Sequence, residues 1–433
     1  MPVAEKQIIE EVTDIESQPK SDSPRILMLI DQFYPVLGGA EKQALRVSKE
    51  LIERGYDISV LTRQSDKSYP PEEIHEGVKI TRLPYSGTTG EDKLKSTIPA
   101  FRWLVKNKDS YDLVHCHGNN PLEWAAIAAK KFTGRPYIVK PPNPNFLNYS
   151  GAGNGYNLVN KNGSWLTRNV IRPVCLPALR IVRRQMLKNA SHVLAISPEI
   201  QRRVRDVGVE HVSDVSNGIN TDRFYPASQD EKLALREKLG LPKEKVIFVY
   251  AGRFAIEKNL ITLLKGWHKI HDKYDHSKME LILLGDSNGQ VYTSEDEIRA
   301  YHKENNLTTA KFLGKKPNVV DYLRASNVLV MSSLWEGLSN SILEGMACGI
   351  PAVASDISAS QALVEPDKSG LLYKPQDCDG LAEYLGVMID DKEKRMEMGK
   401  RARQIAVEKF SFPAIIDKIT KIYSNILGPK VPH

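Results

Sequence analysis

The sequence predicts an α/β protein made of two doubly wound, Rossmann-like domains facing each other across a cleft. Three observations carry this expectation. Uninterrupted apolar runs of strand length alternate with amphipathic helical stretches, the pattern of a parallel sheet covered by helices. The alternation starts twice, at Arg25 and again at Val246, with Asn-Gly and Pro breakers near Asn217–Pro226 in between. The length, 433 residues, exceeds what one ordinary core accommodates.

The elements follow in chain order. Residues 1–24 carry six acids against two lysines and read as a disordered acidic tail. Arg25–Ile30 is the first strand, followed by a Gly-Gly turn, a helix over Ala40–Arg54 and a strand over Asp57–Thr62. Tyr111–His115, Tyr137–Lys140 and Ser191–Ser197 read as later strands of the same sheet, giving an N-terminal domain over 25–220. Val246–Tyr250 opens the second series, with a helix over Leu260–Tyr274. Strands follow at Met279–Leu284, Lys311–Leu313, Val328–Ser332 and Ala352–Ser355, for a second domain over 221–410. Residues 411–433 close the chain with a helix over Phe412–Ile426, free to pack back on the N-terminal domain.

Composition narrows the setting. With 41% hydrophobic and 26% charged residues the chain is globular, and no apolar run reaches the ~18 residues of a membrane span. The N-terminal residues lack the apolar stretch of a signal peptide. Cys116, Cys175, Cys348 and Cys378 lie far apart, which argues against a zinc site or a disulfide framework and for a reducing cytosol.

The net charge of +7 is unevenly placed. Between Glu123 and Glu199 there are eleven Lys and Arg and no acid, so the excess basicity belongs to one block. Within it, residues 143–164 hold seven Asn and four Gly and read as a mobile loop. Arg180, Arg183, Arg184 and Lys188 then share one face of a helix whose other face carries Leu179, Val182 and Met186. Trp165, Arg168 and Arg172 lie just upstream. A solvated basic face is the plain reading of such a helix. Attraction to anionic headgroups, worth about 1 kcal/mol per cation, is the functional one. Nucleic acid is disfavoured, because no reader fold or aromatic stacking strip accompanies the block.

The strongest motif lies past a strand end, where open parallel sheets bind ligands. Glu336 and Glu344 are separated by seven residues, the first in a loop after the strand Val328–Ser332, the second inside a helix expected from about Ser339 to Cys348. One carboxylate suits sugar hydroxyls and the other a ribose. Between them the N–H groups of Leu338–Ser341 and the positive helix end can receive a diphosphate. At the equivalent end of the domain's first strand, Gly252 and Arg253 are followed by Lys258 at a helix start. Arg offers a forked phosphate contact and Lys a point charge.

These residues resemble the retaining glycosyltransferases of the GT-B fold, family 4. The resemblance runs from about Arg25 onward through Gly38-Gly39-Ala-Glu41, His115-Cys-His117, Asn217-Gly-Ile-Asn220, Gly252-Arg253 with Glu257-Lys258, and Glu336–Pro351 (EGLSNSILEGMACGIP). It implies that Arg253 and Lys258 bind the donor diphosphate and stabilise the leaving nucleotide. It assigns Glu344 to the ribose, and Glu336 to the transferred sugar beside the backbone N–H groups of Gly337, Leu338, Ser339 and Asn340. Gly38 and Gly39 would let the backbone approach the donor, and His117 would line the reaction centre. His115 is placed on the opposite strand face as a packed residue.

The function implied is transfer of a hexosyl or N-acetylhexosaminyl group from a nucleotide diphosphate sugar to a glycan or lipid-linked acceptor, in cell-surface polysaccharide or glycoconjugate synthesis. UDP-linked donors are preferred over GDP-linked ones. Two cations and a helix end leave no need for a metal or other cofactor, and the single Asp-x-Asp, Asp377-Cys-Asp379, reads as a loop. A nucleotide-sugar epimerase or hydrolase on the same scaffold, or a non-catalytic binding subunit, are the alternatives. The expected location is the cytoplasm, peripheral on the inner face of the membrane if the basic face binds headgroups.

Overall fold

The computed structural model describes residues 23–36, 38–85, 87, 94–142, 172–287 and 294–428. The expected acidic tail and the Asn-rich loop therefore lie almost entirely outside the described residues, as do Trp165 and Arg168. For Arg172 only the helical backbone is described.

The first domain runs β1 (Arg25–Leu29), α1 (Gly39–Glu53), β2 (Asp57–Arg63), β3 (Glu72–His75), β4 (Val78–Leu83), α2 (Thr97–Lys106), β5 (Leu113–Cys116), α3 (Pro121–Thr133) and β6 (Tyr137–Val139). It continues through α4 (Arg172–Asn189), β7 (His192–Ala195), α5 (Pro198–Asp206) and β8 (Val212–Asp214). The sheet order is β3-β4-β2-β1-β5-β6-β7-β8, parallel except for the β3–β4 hairpin. The strand β4 alternates inward Val78 and Ile80 with Lys79 and Thr81, the pattern of a strand with one wetter face. The strands β3, β4 and β8 are not among the sequence expectations. β3 is polar and at an edge, and β8 has only three residues, so neither offers an apolar run to read.

The second domain holds α6 (Gln229–Leu239), β9 (Val246–Ala251), α7 (Leu260–His271), β10 (Met279–Leu284), α8 (Glu295–Glu304), β11 (Ala310–Gly314) and α9 (Val319–Ala325). It goes on with β12 (Val328–Met331), α10 (Asn340–Ala347), β13 (Ala352–Ser355), α11 (Ser358–Gln361), β14 (Gly370–Tyr373), α12 (Cys378–Asp390) and α13 (Lys392–Phe410). Its sheet, ordered β11-β10-β9-β12-β13-β14, has only parallel pairings. The switch in strand order between β9 and β12 places the ligand-binding crevice there. The segment expected to be a loop at Asp377–Asp379 is instead a helix start. Asp377 caps α12, its carboxylate accepting from the backbone N–H of Asp379 and Gly380.

The last helix, α14 (Phe412–Leu427), returns to the first domain. Phe412, Ile415, Ile416, Ile419, Ile422 and Tyr423 join Ile26, Met28, Leu45 and Leu51 in one buried cluster. Burying such a stripe contributes roughly 1.5–3 kcal/mol per large side chain. The crossing is fixed at its root, where Ile219 and Phe412 exchange backbone hydrogen bonds with Phe410 and Ile219 respectively.

Candidate active site

The carboxyl ends of β1, β5, β6, β7 and β8 open onto one wall of a cleft, and those of β9, β10, β11 and β12 onto the other. Within the first wall, Gln43 of α1 holds the turn after β8, its side chain donating to the Gly218 carbonyl at 2.8 Å and accepting from the Gly218 N–H at 3.0 Å. Asn217 donates to Asn340 across the cleft at 3.1 Å. Gly39 comes so near the same Asn340 that a Cβ there would stand 3.2 Å from its amide nitrogen. The glycine is thus what lets the first domain approach α10.

The helix α10 organises the site. Ser339 caps it, its hydroxyl accepting from the Ile342 N–H at 3.4 Å, so that side chain serves the helix rather than a ligand. The first N–H groups of the helix have no intrahelical acceptor and point into the cleft with the positive end of the dipole. Two cavities meet there. One, of about 300 Å³, is lined by Gly252, Arg253, Asp286, Ser341, Glu344 and Lys42 among others. The other, of about 190 Å³, is lined by Gly39, His117, Lys140, Asn217, Gly337, Leu338 and Asn340 among others. A ligand with two polar ends joined by an anionic linker would span the helix end.

Two of the cations at the helix end are ion-paired. Lys258 Nζ lies 2.9 Å from Glu336 Oε1, and Ser333 Oγ donates to the same oxygen at 2.5 Å. Lys258 sits in a single 3₁₀ turn (Ile256–Lys258), one residue short of α7. Its carbonyl accepts from Ser332 Oγ at 2.8 Å, which binds this turn to the loop after β12. Arg253, at the end of β9, lies 3.1 Å from Glu257 and is half exposed. Gly285, with φ +137°, lets the β10 end pass the Gly252 carbonyl, which a Cβ would meet at 1.9 Å. Glu344 lies just over one turn into α10 and lines the larger cavity. Burial pushes its carboxyl up to about 7, with Lys42 and Arg223 pulling the other way.

On the first wall the two histidines correct the sequence reading. His115 and His117 are two residues apart, which puts them on one side of the strand, and their rings stack with centroids 4.3 Å apart. His115 is fully buried, with Nδ1 2.7 Å from Tyr423 Oη, so the returning helix α14 reaches the layer beneath the cleft. Burial, aided by Lys140, lowers the His117 imidazole to about 3, and it is neutral at ordinary pH.

The basic block also divides. Arg180, Arg184 and Lys188 are exposed on α4 next to Ile181, whose side chain is 59% exposed. Arg183 is not part of that face: it is 4% exposed and turned inward with Met186 and Leu187. Its helical position, one residue off the Arg180–Arg184–Lys188 line, falls on the packed side once α4 meets α3. Lys42, Arg223, Asp286 and Lys140 were not anticipated, and Ser341 only through its backbone N–H. Only Lys140 had a local signal, a cation closing an apolar strand at its ligand-facing end. Among the described residues no group of three or more His, Cys, Asp or Glu could hold a metal, and no helix is long and apolar enough to cross a membrane.

Two parallel-sheet domains with this cleft between them define the GT-B class. Residues 38–218 match the family described as glycosyl transferase 4-like domain, and residues 231–405 match glycosyl transferases group 1. The chain belongs to family 4 of the GT-B glycosyltransferases. Among curated relatives, it is 26% identical to the UDP-Gal:alpha-D-GlcNAc-diphosphoundecaprenol alpha-1,3-galactosyltransferase of Escherichia coli, covering 95% of this chain and 100% of that protein. It is 23% identical to the N-acetyl-alpha-D-glucosaminyl L-malate synthase of Bacillus anthracis, over 91% and 96% of the two chains. Among solved structures, sucrose-phosphate synthase from Thermosynechococcus elongatus superposes with a TM-score of 0.75 at 22% identity, over 93% and 99% of the chains. The Anabaena protein HepE in complex with UDP-glucose does so at 0.70 and 19%, again over 93% and 99%. At these identities the structures speak for the fold.

Proposed function

We propose that this glycosyltransferase moves a hexosyl or N-acetylhexosaminyl group, with retention, from a nucleotide diphosphate sugar to a glycan or lipid-linked acceptor. The observation that carries the reading is the end of α10, set between two cavities with Arg253 and Lys258 beside it and Glu336 and Glu344 at its two sides. The larger cavity suits the nucleoside, with Glu344 accepting from the ribose hydroxyls. The diphosphate lies against the helix end, and the sugar enters the smaller cavity beside Glu336, Gly337 and His117.

Negative charge grows on the departing diphosphate as the sugar becomes oxocarbenium-like. Lys258, Arg253 and the helix N–H groups are aimed where that charge develops, so they favour the transition state over the bound donor. Lys258 is ion-paired with Glu336, and a diphosphate would share that cation. This charge set is the basis for proposing transfer without a metal. His117, neutral and packed on His115, suits positioning of a sugar hydroxyl better than proton abstraction. UDP-linked donors are preferred over GDP-linked ones; the names of the Escherichia coli relative and of the HepE complex both carry UDP, and the former also carries a lipid diphosphate acceptor.

Contact with an anionic membrane surface through Arg180, Arg184, Lys188 and the exposed Ile181 completes the proposal, bringing a lipid-linked acceptor to the first domain. Binding to anionic but not zwitterionic liposomes at low salt is the expected result, and indifference to both removes this part.

The central test is Lys258→Ala, scored by nucleotide release with a panel of UDP- and GDP-sugars. Removing one donor to a developing anion lowers kcat by about 10²- to 10³-fold. A variant that folds and turns over at the parent rate would refute the site assignment.

A further inference from the structure

A lysine ammonium lies buried on the first wall of the cleft with no carboxylate against it among the described residues. Lys140 follows β6, and its side chain is 7% exposed. Its Nζ donates to the Ser216 carbonyl at 3.3 Å, a long bond that uses one of three N–H groups. Among the described residues no carboxylate comes within ion-pair distance of it. The segment that follows, residues 143–171, contains no Asp or Glu, so the nearest chain cannot supply one. Burial alone lowers the ammonium to about 8, and no acid acts on it in return.

The surroundings have further unspent hydrogen-bonding capacity. Ser197 and Ser216 adjoin the lining residues Ile196 and Asn217. Both hydroxyls are buried and have no partner among the described residues. The cavity they flank is the one that holds His117, Gly337 and Asn340, on the side away from Arg253 and Glu344. A buried cation left this way is costly unless something anionic meets it. A lysine kept only to hold one carbonyl would be a poor solution, since a neutral donor does so at lower desolvation cost.

We infer that Lys140 is a substrate-contacting cation that pairs with a phosphate or carboxylate carried by a substrate beside the transferred sugar. The inference rests on the glycosyltransferase reading of the cleft and narrows its substrate class to one bearing an anion at that end. That anion has two sources: a uronate on the donor sugar, or a phosphate near the accepting hydroxyl. The donor diphosphate is not the partner, since Arg253, Lys258 and the helix end already address it.

The experiment is calorimetric titration of wild-type protein, Lys140→Met and Lys140→Arg, with melting curves as the check on folding. UDP and GDP are titrated first. If wild-type protein binds neither, the nucleotide-sugar reading fails and this inference with it. Where a nucleotide binds, the donor arm compares UDP-glucose with UDP-glucuronate, or GDP-mannose with GDP-mannuronate. The acceptor arm compares N-acetylglucosamine with N-acetylglucosamine 1-phosphate on protein saturated with that nucleotide. In one arm the wild type prefers the anionic probe by about 10- to 100-fold, K140M loses the preference and K140R keeps most of it. Affinity for the bare nucleotide stays within about twofold in all three proteins. A wild type that binds nucleotide yet prefers neither anionic probe overturns the inference even if K140M does not fold. So does a preference that survives in K140M, or a K140M defect that appears in UDP binding itself.

Discussion

Replacing Glu344 by glutamine is expected to strengthen the empty protein while disabling its nucleotide site. Burial holds the Glu344 carboxyl at about 7, against an ordinary value of 4.5. Between those values the folded state keeps a proton that the unfolded state has released, so stability falls as pH rises through the window. About 2.5 pH units at ~1.36 kcal/mol each make the ionised carboxylate cost about 3 kcal/mol above pH 7. Glutamine keeps the shape and cannot ionise. The variant therefore melts within a few degrees of the wild type at pH 5 and roughly 6–12 °C above it at pH 8, taking ~2–4 °C per kcal/mol for domains of this size. The carboxylate that costs stability is the one proposed to accept from the ribose hydroxyls, and on that proposal its loss weakens UDP binding at pH 8 by about 10- to 100-fold. Scanning calorimetry of the empty protein at both pH values and a UDP titration read the two effects separately. A melting difference that is the same at pH 5 and pH 8, or an unchanged UDP affinity, would refute the reasoning.

Two other outcomes follow from the first wall. His117→Ala should lower kcat/KM without altering the shape of the pH–rate profile between about 5.5 and 8, because an imidazole at about 3 stays neutral throughout; an inflection near neutrality that vanishes in the variant would show that it titrates in turnover. Tyr423→Phe removes the hydroxyl 2.7 Å from His115 Nδ1 and leaves a buried ring nitrogen without that partner. It should cost about 1–3 kcal/mol of stability and leave UDP affinity intact; a melting temperature equal to the parent's would mean the contact carries little.

What was legible in the sequence is the part that local chemistry writes. Apolar runs such as Val246–Tyr250 and Met279–Leu284 can only be buried strands when Gly turns and amphipathic helices alternate with them, and the structure places β9 and β10 there. Position past a strand end, together with residue type, singled out Arg253, Lys258, Glu336 and Glu344 as candidates, and the structure brings Lys258 to Glu336 and sets Arg253 and Glu344 along one cavity. Strands β3 and β8 were illegible because neither has an apolar run, their pairing being supplied by neighbours in the sheet.

The tertiary structure decided which side chains meet. Sequence spacing could place Arg183 on a basic face, but packing of α4 turned it inward and left Arg180, Arg184 and Lys188 outside. Lys42 and Arg223 act on Glu344 from more than a hundred residues away in the chain, a convergence that no local pattern encodes. The +7 net charge likewise acquires meaning only in three dimensions. One of its lysines, Lys140, is not on the surface with the rest but inside the cleft, because β6 ends there and the sheet carries the next side chain into the cavity beside His117. By itself the sequence determined the two sheets and the chemistry at their strand ends, since both follow from neighbours along the chain. The closing of the two walls, and hence the company each charge keeps, depended on contacts between distant segments.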